Sequence, residues 1–123
     1  MKILLIDDNK EITEPLSKFL SLDGYSCSSL NDGRAALAVI QKEKFDVILM
    51  DIAMPEFSGY DIIDALEKSG KLKEQKLVVL SAISFTNDEI DRLLKRGVTA
   101  CIKKPIEIFE LVKKIKAIHN GSS

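Results

Sequence analysis

Short runs of aliphatic residues alternate along this chain with longer polar stretches, and this alternation restricts the possible folds more than any other feature. Residues 3–6, 45–50 and 77–80 are nearly continuous apolar runs, as in strands that are covered on both faces. Residues 25–30 and 100–102 are less apolar. The pattern therefore predicts five strands, of which the second and fifth lie nearer the edges of a sheet.

The intervals between these runs have the spacing of amphipathic helices. In the last interval, apolar residues recur at i, i+3, i+4 and i+7 from Ile108 onward. Residues 86–89 have the sequence of a capping box, Gly97 stands where a helix should end, and Ser58 is the expected cap of another helix. Five successive strand–helix pairs predict an α/β fold with a parallel sheet and helices on both of its faces.

Length and composition exclude several classes of function. The 123 residues suit one domain, and 46% hydrophobic with 30% charged residues is a globular composition. Eighteen Lys and Arg against nineteen Asp and Glu argue against a basic nucleic-acid-binding face. No apolar run is long enough for a membrane span, and acid appears too early for a secretory signal. We expect a cytoplasmic domain over residues 1–119 and a disordered tail over residues 120–123.

Polar side chains follow four of the five predicted strands. Asp7 and Asp8 follow the first, Asp51 the third, Ser81 the fourth and Lys104 the fifth. Because parallel strands place their carboxyl ends at one edge, these groups should converge there. Three neighbouring carboxylates repel one another unless cations intervene, and both a lysine and Mg²⁺ could supply the positive charge. A carboxylate beside such cations can attack phosphorus and form an aspartyl phosphate.

The residues at these strand ends resemble the motifs of receiver domains of two-component response regulators. They are Asp7-Asp8, the run from Asp51 to Gly59 that contains Ala53-Met54-Pro55, Ser81-Ala82, and Lys104-Pro105. The resemblance covers the chain from about residue 2 to residue 118. It implies a flavodoxin-like, doubly wound sheet with strand order 2-1-3-4-5 and a cis peptide bond before Pro105.

The resemblance also assigns the acceptor and the metal ligands. Asp51 is the implied phosphoacceptor, and Asp8, Asp51 and the main-chain carbonyl of Ala53 are the implied Mg²⁺ ligands. Asp7 would help to hold the metal through water, and Lys104 would contact the phosphoryl group. The implied function is Mg²⁺-dependent phosphoryl transfer to the domain from a phosphohistidine of a sensor histidine kinase or phosphotransfer protein. The phosphorylated domain would then switch a protein-interaction surface and would not act as an enzyme.

Departures from the family pattern affect the expected lifetime and output of the phosphorylated state. Ser81 is the implied hydroxyl switch, but Cys101 occupies the position, three residues before the site lysine, where most receivers have an aromatic residue. We therefore expect the readout in the loop after the fourth strand, where Phe85 is the nearby aromatic residue. By the same resemblance, Ala53 and Ile83 occupy the two positions that would flank the path of an attacking water, and because both are apolar we expect slow loss of the phosphoryl group.

Other interpretations remain open at this point. A phosphohydrolase of the haloacid dehalogenase type also uses an aspartate nucleophile, but its Asp-x-Asp signature is absent because Ala53 stands two residues after Asp51. A flavin-binding or nucleotide-binding module would need a glycine-rich loop after the first strand. Asp8 could be a simple charge at a helix amino terminus, and Ser81 a turn residue. We expect no effector domain after the last helix, so the chain either acts alone or is part of a longer protein, with an unknown downstream partner.

Overall fold

The computed structural model describes residues 1–54, 56–82 and 84–121, with only the main chain at residue 12. Its centre is a sheet of five parallel strands in the order β2-β1-β3-β4-β5. The strands are β1 (Lys2–Ile6), β2 (Ser26–Leu30), β3 (Val47–Asp51), β4 (Leu77–Ser81) and β5 (Ala100–Lys103). The expected flavodoxin-like α/β fold and its strand order are thus confirmed.

Five helices connect the strands and follow the last one. They are α1 (Lys10–Leu22), α2 (Gly33–Lys42), α3 (Gly59–Lys68), α4 (Asn87–Arg96) and α5 (Ile108–His119). The predicted caps are confirmed, because Ser58 and Thr86 each close a capping box with the acidic residue three positions later. Gly97 ends α4 with φ of 126°, a conformation that residues with a Cβ rarely adopt. Of the expected tail, Asn120 is the C-cap of α5 and the Gly121 N–H donates to the carbonyl of Ile118, whereas Ser122 and Ser123 lie outside the described residues.

The sheet separates two apolar layers. Leu4 and Met50 face the layer under α2, α3 and α4, whereas Leu5 and Leu49 face the layer under α1 and α5. Every residue of β3 is buried, while the edge strands β2 and β5 are partly exposed. Because β1, β3 and β4 are packed on both faces, the residues at their carboxyl ends have fixed positions.

Two further observations concern the helices and the two cysteines. In the described part of the chain, every helix is too short or too polar to cross a bilayer. Cys27 lies in β2 and Cys101 in β5, at opposite edges of the sheet, and both thiols are free. Burial raises the pKa of both thiols, so they are packing residues with little thiolate character.

Candidate functional site

The structure brings the three predicted carboxylates together at the carboxyl edge of the sheet. One carboxylate oxygen from each of Asp7, Asp8 and Asp51 lies within 4.8 Å of the others. They converge because β1 and β3 are neighbours, with Ile6 opposite Met50, so the residues after them stand side by side. Asp7 and Asp51 are buried, whereas Asp8 is exposed. This is a set of hard oxygen atoms that is open to solvent on the side of Asp8.

Each oxygen of the Asp51 carboxylate has a neighbouring polar partner. Its Oδ1 atom accepts a hydrogen bond of 3.2 Å from the main-chain N–H of Ala53, and its Oδ2 atom lies 3.6 Å from the Lys104 ammonium. Burial raises the pKa of Asp51, an effect that the Ala53 amide and Lys104 oppose and that the charges of Asp7 and Asp8 reinforce. The carboxylate therefore has a fixed direction and faces one adjacent cation.

Lys104 brings a positive charge to the cluster, where it pairs with both Asp7 and Asp51. Its Nζ atom donates to Asp7 Oδ2 at 2.7 Å, and its side chain is only 15% exposed. Its main-chain N–H donates to the carbonyl of Ser81 at 2.8 Å, which ties the start of the β5–α5 loop to the end of β4. The adjacent Lys103 is exposed, and the predicted cis bond between Lys104 and Pro105 is confirmed.

The predicted switch residues lie beside the cluster. Ser81 is the buried last residue of β4, and its strand neighbour Leu80 is opposite Asp51. Phe85 and Cys101 are half-buried and pack against the apolar layer under α2, α3 and α4. The loop from β4 to α4 is therefore in contact with the core on the side of the sheet away from α1 and α5.

Of the two residues that were expected to flank an attacking water, the structure describes Ala53. Ala53 is exposed at the mouth of the site, and its N–H is the donor to Asp51 described above. Ile83 lies outside the described residues.

Asn31 also contacts the acidic pair, although it was not among the residues predicted from the sequence. Its side-chain amide donates to the main-chain carbonyl of Asp7 at 2.7 Å, and the Asp7 N–H donates to the carbonyl of Leu30 at 3.1 Å. The carboxylate of Asp7 also accepts from the N–H of Asn9 at 2.9 Å. A sequence signal for Asn31 existed, because it directly follows β2 and the carboxyl ends of all five parallel strands lie at the same edge.

Comparison with known proteins identifies one family and several relatives of this chain. Residues 3–116 match the family described as the response regulator receiver domain. The chain is 35% identical over 124 residues to a transcriptional regulatory protein CpxR homolog of Haemophilus influenzae, and 33% identical over 119 residues to CpxR of Escherichia coli K12. These matches cover 99% and 95% of this chain but 52% and 48% of the relatives. The chain thus spans about half the length of the curated relatives that it matches.

Solved structures with the same fold include a receiver domain and two response regulators. The receiver domain of the Francisella response regulator 1452 superposes with a TM-score of 0.86 at 27% identity, covering 98% of this chain and 97% of that one. The chemotaxis response regulator CheY4 of Vibrio cholerae has a TM-score of 0.83 at 29% identity, covering 95% and 97%. The regulator TrrA of Thermotoga maritima, solved in complex with Mg²⁺ and BeF, has a TM-score of 0.78 at 26% identity over 95% and 97%. This chain belongs to the family of response regulator receiver domains.

Proposed function

We propose that this receiver domain accepts a phosphoryl group on Asp51 and changes its interaction surface in response. The observation that carries the proposal is the position of the Asp51 carboxylate, which is buried at the end of the central strand, 3.6 Å from the Lys104 ammonium and next to two further carboxylates. A buried carboxylate with one adjacent cation is suited to nucleophilic attack on an anionic phosphoryl group.

The chemistry follows from these positions. A carboxylate oxygen of Asp51 attacks the phosphorus of a phosphohistidine, a new P–O bond forms, and the P–N bond breaks. The imidazole nitrogen of the donor leaves with the electron pair of that bond. The Ala53 N–H, which donates to Asp51 Oδ1, holds the carboxylate in its direction during this step. Lys104 is close enough to Asp51 to neutralise charge on the incoming phosphoryl oxygens.

The donor set fits Mg²⁺. Three carboxylates supply hard oxygen ligands, and the exposed Asp8 leaves one side open to the waters that Mg²⁺ usually keeps. Asp8, Asp51 and the main-chain carbonyl of Ala53 would hold the ion, with Asp7 acting through water. When bound, Mg²⁺ would offset the repulsion among the carboxylates and polarise the phosphoryl oxygens. The Mg²⁺–BeF complex of the related TrrA supports this assignment.

We infer that the signal leaves through Ser81 and the loop that follows β4. A phosphoryl group brings nearly two negative charges and three acceptor oxygens, towards which a neighbouring hydroxyl can turn. The end of α4 nearer this loop is weakly held, because Leu93 is the buried residue of the helix and Ile90 is half-buried. The opposite end of α4 is anchored by Arg96, which pairs with Glu67 of α3 at 2.9 Å. A movement of the loop would therefore tilt the first turns of α4 about its last turn.

Addition of beryllofluoride and Mg²⁺ tests this route, because the amide shifts of the chain report where the change occurs. We expect shifts at residues 82–90, including Phe85. Shifts confined to residues 100–106, with residues 82–90 unchanged, would contradict the route. If Phe85 only packs on the core, its ring resonances should stay unchanged while the amides around it move.

The phosphodonor that fits this chemistry is a sensor histidine kinase or a phosphotransfer protein, and we propose that the domain meets this donor in the cytoplasm. The relatives are transcriptional regulatory proteins, but this receiver has a net charge of −1 and offers no strong basic field for direct nucleic-acid binding. The output is therefore a contact with a protein surface, in the same chain or in a partner.

Incubation with acetyl phosphate and Mg²⁺ tests the acceptor assignment. The wild-type domain should gain one acid-labile phosphoryl group per chain, Asp51→Asn should gain none, and Asp91→Asn, an exposed carboxylate on α4, should behave as the wild type. Full labelling of Asp51→Asn would refute the assignment. Continuous release of phosphate without a labelled protein would indicate a phosphohydrolase and refute the proposal that the domain is a phosphoacceptor.

A further inference from the structure

Asn31 makes a hydrogen bond to the peptide unit that joins two residues of the acidic cluster. Its Nδ2 atom donates at 2.7 Å to the main-chain carbonyl of Asp7. That carbonyl belongs to the peptide bond that joins Asp7 to Asp8. Because a peptide unit is planar, a hydrogen bond to its oxygen restricts the rotation of the whole unit and of the two Cα atoms that it connects. The bond therefore acts on the directions of two of the three carboxylates.

The side chain of Asn31 takes this position because the main-chain ladder ends here. Ile6 is opposite Leu30 in the ladder of β1 and β2, and the Asp7 N–H still donates to the carbonyl of Leu30. The chain then turns into α2, whose N-cap Asp32 accepts a hydrogen bond from the N–H of Arg34 at 3.0 Å. An asparagine between the strand and the cap can supply a side-chain donor where the strand no longer supplies a main-chain donor.

The remaining contacts of Asp7 show why the carbonyl matters. Its carboxylate is already shared, since Oδ1 accepts from the N–H of Asn9 and Oδ2 from Lys104. These two bonds fix the side chain of Asp7. Asp8 is exposed at the mouth of the site, so its direction depends mainly on the main chain that carries it.

We propose that Asn31 is a positioning residue for the metal site, which holds the Asp7–Asp8 peptide unit in the orientation that lets both carboxylates serve one Mg²⁺ ion. Asn31 touches neither the phosphoryl group nor the ion. It limits the rotation of the Asp7–Asp8 peptide unit before the metal binds, so that less conformational entropy is lost on binding. This inference rests on the proposed function, because it concerns the same acidic cluster.

The test compares Asn31→Ala with Asn31→Gln, which keeps the amide on a longer side chain, and with the control Ser29→Ala, an exposed residue near the end of β2. Mg²⁺ is titrated into each full-length domain and the dissociation constant is taken from amide shifts, which need no phosphoryl donor. The rate of labelling by acetyl phosphate is then measured across the same range of Mg²⁺ concentrations. Urea unfolding in EDTA gives the stability of each variant separately.

Because the bond is already present without metal, its loss acts through the freed rotation of the Asp7–Asp8 peptide unit, and we expect Asn31→Ala to bind Mg²⁺ about two- to ten-fold more weakly. Its labelling rate at saturating Mg²⁺ should be unchanged within about two-fold, because the reacting groups are intact. Asn31→Gln should recover part of the affinity, and Ser29→Ala should match the wild type. Wild-type affinity of Asn31→Ala, with or without lower stability, would overturn the positioning role, as would an affinity of Asn31→Gln no better than that of Asn31→Ala. Failure of the wild-type domain itself to be labelled would instead refute the proposed function.

Discussion

Replacement of Asp8 by asparagine should stabilise the metal-free domain and remove its response to Mg²⁺. The side chain keeps its size and loses its charge. In the structure an oxygen of Asp8 lies within 4.8 Å of oxygens of both Asp7 and Asp51, so the folded state brings three like charges together. The unfolded chain separates Asp8 from Asp51, which relieves much of this repulsion.

The magnitude can be worked out from these distances. Two unit charges at 4.8 Å repel by about 0.9 kcal/mol in a water-like dielectric, which suits the exposed Asp8. Unfolding relieves this repulsion from Asp51 and only part of that from the adjacent Asp7, so the relief lies between about 0.9 and 1.7 kcal/mol. Two effects reduce this value. The positive amino terminus of α1 favours a nearby negative charge by about 0.3–1 kcal/mol, and Lys104, 2.7 Å from Asp7, partly cancels the charge of that carboxylate. We therefore expect the free energy of unfolding to rise by about 1 kcal/mol.

The assay is urea unfolding followed by circular dichroism, because the chain contains no tryptophan. In EDTA at low ionic strength Asp8→Asn should be more stable than the wild type, and about 1 M salt should remove most of the difference. For the wild type, Mg²⁺ at ten times its dissociation constant should add about 1.4 kcal/mol. The variant should gain much less.

The control is Asp91→Asn, which removes an exposed carboxylate from α4. It should change neither the stability in EDTA by more than about 0.5 kcal/mol nor the gain from Mg²⁺. If Asp8→Asn proves less stable than the wild type without metal, repulsion does not dominate the cluster. If it keeps the full gain from Mg²⁺, Asp8 is not a ligand.

Three further predictions follow from other contacts. Burial raises the pKa of Asp51, so the stability that this group contributes in acid is lost as the pH rises through its folded-state pKa. In EDTA, Asp51→Asn should therefore gain stability relative to the wild type as the pH rises above about 4. A stability difference that does not change with pH would contradict this prediction. Ala53→Asn combined with Ile83→Glu supplies polar groups that can orient water, and should shorten the lifetime of the phosphorylated state about ten-fold, a barrier lower by about 1.4 kcal/mol. An unchanged or longer half-life would show that these two positions do not control the attack of water. Gly33→Ala should destabilise the domain by about 1–3 kcal/mol, because the added Cβ would collide with the main-chain oxygen of Phe57, and an unchanged urea midpoint would show that this loop can move aside.

The order of strands and helices was largely determined by local sequence patterns. Continuous apolar runs predicted β1, β3 and β4 because central strands of a parallel sheet are buried on both faces. Capping residues predicted where α3 and α4 begin, since these bonds form within a few residues. The exact ends were less well predicted. Residues 45–50 are apolar apart from Asp46, but the strand spans Val47–Asp51, and Phe45 is buried in front of the strand without belonging to it.

The members of the candidate site were also predicted from the sequence, for a reason that is topological. A parallel sheet places all strand ends at one edge, so polar residues after the strands must converge whatever their separation in the chain. This rule brought Asp51 and Lys104 to the acidic pair. The rule alone does not choose between Lys103 and Lys104, but the Lys104-Pro105 motif predicted Lys104, and the structure has Lys104 inside the cluster and Lys103 exposed.

Only the tertiary structure decided how these groups are paired. Lys104 bonds to Asp7 across 97 positions of sequence, and Asn31 bonds to the Asp7 carbonyl across 24. The raised pKa of Asp51 likewise depends on burial by several elements at once. Distances and directions of this kind are set when the helices pack on both faces of the sheet, because packing fixes where each loop can run and which donor reaches which acceptor. Local patterns in the sequence specify the elements and their polar ends, and the packing of those elements selects the contacts among them.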